Sequence, residues 1–594
     1  MKISSLLPSL LLALAPLAHS APAQDPAAPE GASGIQSKQL SYAKKHMVAA
    51  ANPHAVEAGL AILRKGGSAV DAAIATQLVL GLCEPQSSGI GGGAFMLFFD
   101  GRGVHAWDGR ETAPAAVDEK LFLQADGSPV KRYEAIVGGR SVGVPGVMRM
   151  LEAAHKEHGK LPWASLFEPA IQLAQQGFAL SPRLHKLLSD EPFLKRDPVA
   201  AAYFYDEQGK ARPVGYLLKN PEYAASLRLL AAKGAAALHE GPLAQAIVDK
   251  VNKHAANPGK LSVQDMRDYR AKKREAVCLD YRKYTVCGMP PPSSGGIAVA
   301  QVLGMLEGRD MAALKPGAQG ISAEAMHWIS QAERLAYADR DHYAGDSDFV
   351  PLPGRGVAAL LDKQYLKQRA ALMGEKSLGQ AAPGLPPFKP GANDKLAFGR
   401  DQSPELPSTS HFSIVDAQGH AVAMTTTIED GFGARLMVGG FLLNNQLTDF
   451  SFVPADQHGP VANRVQGGKR PRSTMSPTLV FERDSKKLQL AAGSPGGPAI
   501  ALYVIKTLVG VLDWKMDVQQ AIALPNFGSR NGGMDVEEGA FDESVLQDLR
   551  QRGHQLRTWS MTSGLHAIER RMRDGESVWA GGADPRREGA ARGD

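Results

Sequence analysis

Apolar positions change their spacing twice along this chain. Over 68–82, Val70, Ile74 and Leu78 recur every fourth residue, the stripe of one helix, which Glu84 and Pro85 stop. Ala94 to Phe99 is then an unbroken apolar run of strand length, suited to a sheet covered on both faces. From about 145 to 375 the spacing is helical again, as in 148–158, 163–176 and 323–339, and predicts helical cover and walls. Residues 374–408 carry Pro383, Pro386, Pro387, Pro390, Pro404 and Pro407 among glycines and polar residues, the chemistry of a linker.

Directly after that linker the period becomes two. Residues 410–415 form a strand, 416–419 a turn and 421–427 the returning strand. With Val415 facing His420, Thr409 falls opposite Thr426 and Thr427 lies beside it. A second hairpin is expected from 478–482 and 488–492 around a charged turn. It ends in Gly493-Ser494-Pro495-Gly496-Gly497, and 499–512 reads as a helix. Stacked antiparallel sheets with helices outside are the natural packing for these elements.

Both the start of the chain and its overall charge narrow the picture. Lys2, the apolar stretch 6–17 and Ala18-His19-Ser20 form an export signal over 1–20, with a mature start near Ala21 and a periplasmic or secreted destination. Residues 21–45 are Ala-, Pro-, Gly- and Ser-rich, a leader expected to lack structure, so the fold should begin near His46. No later run reaches about 18 to 20 apolar residues, so no membrane span is expected once the signal is removed. The formal charge of +5 across 594 residues is too dilute to indicate nucleic acid. Three cysteines are too few for a disulfide scaffold. Cys278 and Cys287, on two short strands around Asp280-Tyr281-Arg282-Lys283, are placed to pair, whereas Cys83 reads as a buried thiol. No histidine spacing suits a metal, and none is expected.

A threonine hydroxyl is a weak nucleophile, but an N-terminal threonine carries its own base, an α-amine with a pKa of about 7.7–8.0. Thr409 qualifies only if the bond after Ser408 breaks. The linker before it and the strand that holds it suit that reading, but by local pattern alone a plain linker followed by a strand is the favoured one. Gly496 and Gly497 sit at a strand-to-helix turn, where backbone N–H groups suit an oxyanion or the glycines simply serve a tight turn. Gly89-Ile90-Gly91-Gly92-Gly93 precedes a strand and lacks a phosphate loop's ending, so it is expected to let two backbones approach. The basic stretch 467–472 reads as a solvated loop beside Ser473 and Thr474. No G-x-S-x-G elbow supports a Ser-His-Asp hydrolase.

From Met47 to about Gly589 the sequence resembles the gamma-glutamyltransferases. The motifs Lys65-Gly-Gly-Ser-Ala-Val-Asp-Ala-Ala, Glu84-Pro-Gln-Ser-Ser-Gly-Ile-Gly-Gly-Gly and Asp108-Gly-Arg-Glu-Thr-Ala-Pro are followed in order by Pro291-Pro-Ser-Ser-Gly-Gly and Thr409-Ser-His-Phe-Ser-Ile-Val-Asp. Leu443-Asn-Asn-Gln-Leu-Thr-Asp-Phe-Ser, Arg472-Ser-Thr-Met-Ser-Pro and Gly493-Ser-Pro-Gly-Gly complete the set. The resemblance implies an N-terminal-nucleophile hydrolase fold, a four-layer αββα sandwich of α/β class. It also implies a precursor cut between Ser408 and Thr409, with a large subunit of 46–408 after the leader and a small one of 409–594 intertwined as a heterodimer.

By the same resemblance Thr409 is the nucleophile and Thr427 the hydroxyl that supports it. Arg110 grips the donor's α-carboxylate with Ser473 and Thr474 beside it, Gln446 and Asp449 hold the α-amino group, and Gly496 and Gly497 form the oxyanion hole. No cofactor is implied. The donor is a γ-glutamyl amide such as glutathione, and the acceptor is water, an amino acid or a peptide. At 429 the family's asparagine is replaced by Glu429, and the segment from Asp449 to Ser473 is shorter than in members with a long lid. That pattern is similar to glutaryl and cephalosporin acylases, an alternative of the same fold. An inactive periplasmic binding protein is the remote third.

Overall fold

The computed structural model describes residues 31–354, 356–387, 398–401, 403 and 408–594. The expected signal and the first ten leader residues therefore lie outside the described residues, as does much of the stretch before Ser408.

Two seven-stranded sheets, every pair antiparallel, stack face to face. One runs in the order Ala590–Gly593, Met47–Ala50, Ser408–Val415, Ala421–Glu429, Gly93–Phe99, Val104–Asp108, Lys272–Glu275. The other runs Ser41–Ala43, Glu576–Ala583, His566–Arg573, Leu488–Gly493, Thr478–Glu482, Tyr284–Gly288, Val277–Tyr281. Helices Pro53–Arg64 and Ala69–Cys83 cover the first sheet, while Gly295–Leu306, Ala323–Tyr343 and Ile500–Leu512 cover the second. This is the expected αββα order of layers.

Burial explains the sequence periods. All eight residues of Ser408–Val415 and all nine of Ala421–Glu429 are buried, because one face meets the partner sheet and the other the helices. The alternation in these strands therefore separates two different interiors, apolar on one face and Ser/Thr/His on the other. Helix Ala69–Cys83 is buried all round, so its four-residue stripe marks only part of the surface that it covers. Its start is fixed by a capping box: Asp71 N–H donates to Ser68 Oγ at 3.1 Å, and Ser68 N–H to the Asp71 carboxylate at 2.9 Å.

Several expectations change. The hairpin that carries Thr409 is shifted by one position: Val415 faces Ala421, so Thr409 lies opposite Thr427 rather than Thr426. Asp416 explains the shift, since its carboxylate accepts from the N–H groups of both Gln418 and His420 and widens the turn. The leader is not wholly without structure, because Ser41–Ala43 pairs with Glu576–Ala583 and buries Ala43. The basic stretch is not solvated: Lys469, Arg470 and Arg472 are each at most 2% exposed. Lys469 donates to the carbonyls of Ala462 and Arg464, and Arg470 faces Asp108. Cys278 and Cys287 are bonded across neighbouring strands, and Cys83 is a buried thiol.

The Gly89–Gly93 expectation holds on physical grounds. A Cβ on Gly91 would lie 2.2 Å from the Leu442 carbonyl oxygen, and one on Gly92 2.1 Å from that of Thr427. These glycines bring the loop against the very strand that carries Thr427.

Candidate functional site

Thr409 is the second residue of a buried strand, and its hydroxyl donates to Thr427 Oγ1 at 3.4 Å. Thr427 in turn donates to the Ser408 carbonyl oxygen at 2.7 Å and accepts the Glu429 N–H at 2.8 Å. One hydroxyl thus faces both the Thr409 hydroxyl and the Ser408 carbonyl. The pairing also breaks here: Ser408 faces Glu429 while Thr409 faces Thr427, so Ile428 is an extra residue and Glu429 takes φ +84°. Such a bulge bends the strand and re-aims its side chains. The Ser408 hydroxyl is held by the Gln86 carbonyl, and Arg587 Nη1 lies 3.5 Å from the Thr409 carbonyl.

Around this point the structure gathers Arg110, Thr409, Thr427, Glu429, Gln446, Asp449, Ser473, Thr474 and Gly497 on one small cleft, joined by Met475 and Ile500. Gly496 is adjacent, in the turn at φ +136°, where a Cβ would meet the Tyr503 ring at 2.5 Å. Gly497 follows at φ +54° and leads through one 3₁₀ turn into helix Ile500–Leu512.

Charge in the cleft is paired and dry. Arg110, 1% exposed, donates from Nη2 to the Asp449 carboxylate and to the Arg472 carbonyl at 2.9 Å, and from Nε to the Pro471 carbonyl at 3.1 Å. Gln446 Nε2 donates to the same Asp449 oxygen at 2.6 Å. Ser473 Oγ accepts the Met475 N–H at 3.1 Å, and Thr474 Oγ1 accepts from Arg340 at 2.6 Å. Ser294 Oγ–H binds the Ser473 carbonyl at 2.7 Å, which locks this turn to the start of a helix.

Glu429 is the unusual member. Burial, with Asp449 and Asp430 nearby, holds its carboxyl well above the ordinary carboxylate range, although Asn445 donates to it. Glu111, next in sequence to Arg110, is pushed up to about 8 by burial, with the Arg110 charge opposing and Asp449 adding to the rise. In both groups burial disfavours the charged form.

Sequence reasoning missed Asn445, Arg340, Glu111 and Arg587. Asn445 and Glu111 stand inside the recurring motifs, so a signal existed. Arg340 and Arg587 arrive from a distant helix end and the last loop, where nothing local marks them. Among the described residues no group of three or more His, Cys, Asp or Glu could hold a metal, and no helix is long and apolar enough to cross a membrane.

Comparison with known proteins adds to this geometry. Residues 55–593 match the family model for gamma-glutamyltranspeptidase. The chain is 34% identical over 563 residues to a glutathione hydrolase proenzyme of Bacillus subtilis, covering 94% of this chain and 92% of that protein. It is also 34% identical over 545 residues to the Acylase ACY 1 proenzyme of Pseudomonas sp. strain V22, covering 89% and 91%. Among solved structures, a cephalosporin acylase from Bacillus halodurans superposes with a TM-score of 0.79 at 25% identity, covering 98% of this chain and 99% of that one.

Proposed function

Since the chain belongs to the gamma-glutamyltranspeptidase family, an enzyme family that also contains acylases, we propose that it cuts its own 408–409 bond and then transfers γ-glutamyl groups from amides such as glutathione through a threonine ester. The observation that carries this reading is the relay from the Thr409 hydroxyl to Thr427 and from Thr427 to the Ser408 carbonyl.

In the uncut chain Thr427 polarises the Ser408 carbonyl while Thr409 Oγ1 attacks its carbon. The C–N bond breaks, the threonine nitrogen takes a proton, and the acyl group moves to oxygen. Water then hydrolyses that ester, leaving a Ser408 carboxyl group and a free Thr409 amine. The Ser408 carbonyl lies against Thr427 in the uncut chain, so a donor enters after Ser408 withdraws. Thr409, now with its amine as base, attacks the γ-carbonyl of the donor, and Gly496 and Gly497 face the oxyanion. The leaving amine takes a proton, and water or an amino acid later accepts the acyl group.

The Arg110–Asp449 pair supports a glutamyl group over a plain acyl group. An α-carboxylate can replace Asp449 on Arg110 while the α-ammonium replaces Arg110 on Asp449, so a zwitterion enters with no net change of buried charge. A glutaryl group keeps the carboxylate but lacks the ammonium, and leaves Asp449 without its partner. Glu429, a carboxyl where the family has asparagine, is what favours the acylase reading as the second choice.

Mass spectrometry of the purified protein, followed by rates on γ-glutamyl- and glutaryl-p-nitroanilide, tests both steps. Two copurifying fragments, the second starting at Thr409, and a preference for the γ-glutamyl substrate are expected. Thr409→Ala should stay uncut and inactive; if it matures, the relay is wrong. A glutaryl preference in wild type would move the protein to the acylase branch.

A further inference from the structure

Two turns that line the nucleophile cleft leave the same end of one hairpin, Thr478–Glu482 with Leu488–Gly493. Ser473 and Thr474 lie before its first strand, and Gly496 and Gly497 follow its second. The two glycines take φ +136° and +54°, and neither N–H donates to an acceptor among the described residues. Glycine loses more conformational freedom on ordering than any other residue. Two such N–H groups stay aimed at a reacting atom only if their surroundings fix the turn.

Helix Ala323–Tyr343 reaches both turns. Its buried Tyr337 donates its hydroxyl hydrogen to the Pro498 carbonyl oxygen, one residue beyond Gly497. Arg340, three residues further on and so on the same helix face, donates from Nη2 to Thr474 Oγ1 at 2.6 Å and from Nε to Ser294 Oγ at 2.9 Å. The two side chains also meet each other, with the Arg340 guanidinium carbon 5.2 Å from the centre of the Tyr337 ring. A second tyrosine, Tyr503, packs its ring against Gly496, but its buried hydroxyl finds no hydrogen-bond partner. The turn therefore has one tyrosine that bonds to its backbone and one that only touches it.

We propose that Tyr337 is a positioning residue for acyl transfer, its hydroxyl fixing the Gly496–Pro498 turn so that both glycine N–H groups face the oxyanion. This inference rests on the acyl-transfer reading above. Tyr337 acts through the backbone of the turn. The oxyanion exists only at the tetrahedral stage, so a loosened turn weakens transition-state binding and leaves the bound amide almost as before. Arg340 braces the other turn, whose hydroxyls the bound donor already meets. One helix face thus supports both the binding of the donor and its conversion.

Tyr337→Phe keeps the ring and removes only the bond to Pro498, while Tyr503→Phe removes a hydroxyl beside the same turn that bonds to nothing. Steady-state rates on γ-glutamyl- and glutaryl-p-nitroanilide, counted per cut chain of the purified protein, separate the two. On the preferred anilide, Tyr337→Phe should lower kcat by about tenfold or more with KM within about twofold, and Tyr503→Phe should keep both within about twofold. An unchanged kcat in Tyr337→Phe would overturn the inference, as would a rise in KM alone. An equal fall in Tyr503→Phe would assign the loss to packing under the turn and overturn it too. Wild type inactive on both anilides would overturn the acyl-transfer reading and this inference with it, whereas an active wild type matched by Tyr337→Phe would overturn the inference alone.

Discussion

Two groups of arginines in one molecule are treated in opposite ways. Around the nucleophile Arg110, Arg470 and Arg472 are buried against Asp449, Asp108 and Asp401, and each also meets carbonyls or hydroxyls. Around Arg334 four guanidinium groups line one basin, with Asp535 buried behind Arg530 and Arg557. The first group is buried and paired as folded, whereas the second opens onto a hollow and keeps Arg400 and Arg557 exposed. Burial therefore separates arginines that hold the interior together from arginines that face outward.

Removing the most exposed difference first gives the largest effect. Arg110→Gln leaves the Asp449 carboxylate buried without its cation, a loss of about 3–5 kcal/mol for a broken buried pair. Steady-state kinetics should show kcat/KM for a γ-glutamyl anilide falling by at least about 10²-fold, mainly through KM. If kcat alone fell, Arg110 would not be the carboxylate's holder.

Arg470→Gln tests whether the same group also holds the fold. Arg470 faces Asp108 at 3.4 Å, its own N–H binds Asp346 at 2.9 Å, and Nη2 binds the Arg270 carbonyl at 2.8 Å. Stability in denaturant should fall by about 3 kcal/mol. A change below about 1 kcal/mol would show that this cluster is no more structural than the open one.

Glu429 sharpens the comparison through pH. Burial, with Asp449 and Asp430 nearby, holds its carboxyl above the ordinary range, and its charged form is the one that suits an α-ammonium. Donor capture, read as kcat/KM, should therefore increase as pH rises. Glu429→Gln should make this limb shallower and leave that of the Thr409 amine, which a glutaryl donor shares. An unchanged profile in the variant would remove Glu429 from ammonium recognition.

The smallest effect belongs to the open cluster. Arg557 is exposed and shares its carboxylate, so Arg557→Gln should change stability by under about 0.5 kcal/mol in chloride buffer. A larger loss would mean that the pair between Arg557 and the buried Asp535 holds this part of the fold together.

Most of the nucleophile region was legible in sequence because its signals are local. The change from linker to period-two strand marks where the Thr409 strand begins, and two glycines at a strand end mark the turn at 496 and 497; the choice of Thr409 itself came from the resemblance. The register missed by one because Asp416 reshapes its turn, an effect of one side chain that periodicity does not carry. Burial of Lys469, Arg470 and Arg472 was illegible for a different reason. Their partners Asp108, Asp346 and Asp401 lie far away in sequence, and a basic loop looks alike whether solvated or paired. Arg334, Arg400, Arg530 and Arg557 meet only in space, so no window of sequence shows the basin.

The distribution of strands between the two prospective fragments has its own consequence. The nucleophile sheet takes Met47–Ala50, Gly93–Phe99, Val104–Asp108 and Lys272–Glu275 from before Ser408, and its other strands from the stretch 408–593. The second sheet is divided in the same way, and the Cys278–Cys287 bond lies wholly on the earlier side. Once the 408–409 bond is cut, no covalent link crosses the shared core among the described residues, and separating the fragments means unfolding them. Before the cut, refolding is a one-body event, independent of concentration; afterwards it requires an encounter, and dilution alone slows it. The proposed cut would thus change the molecularity of folding, so that a protein which assembled as one chain would afterwards be kept together mainly by the slowness of its own unfolding.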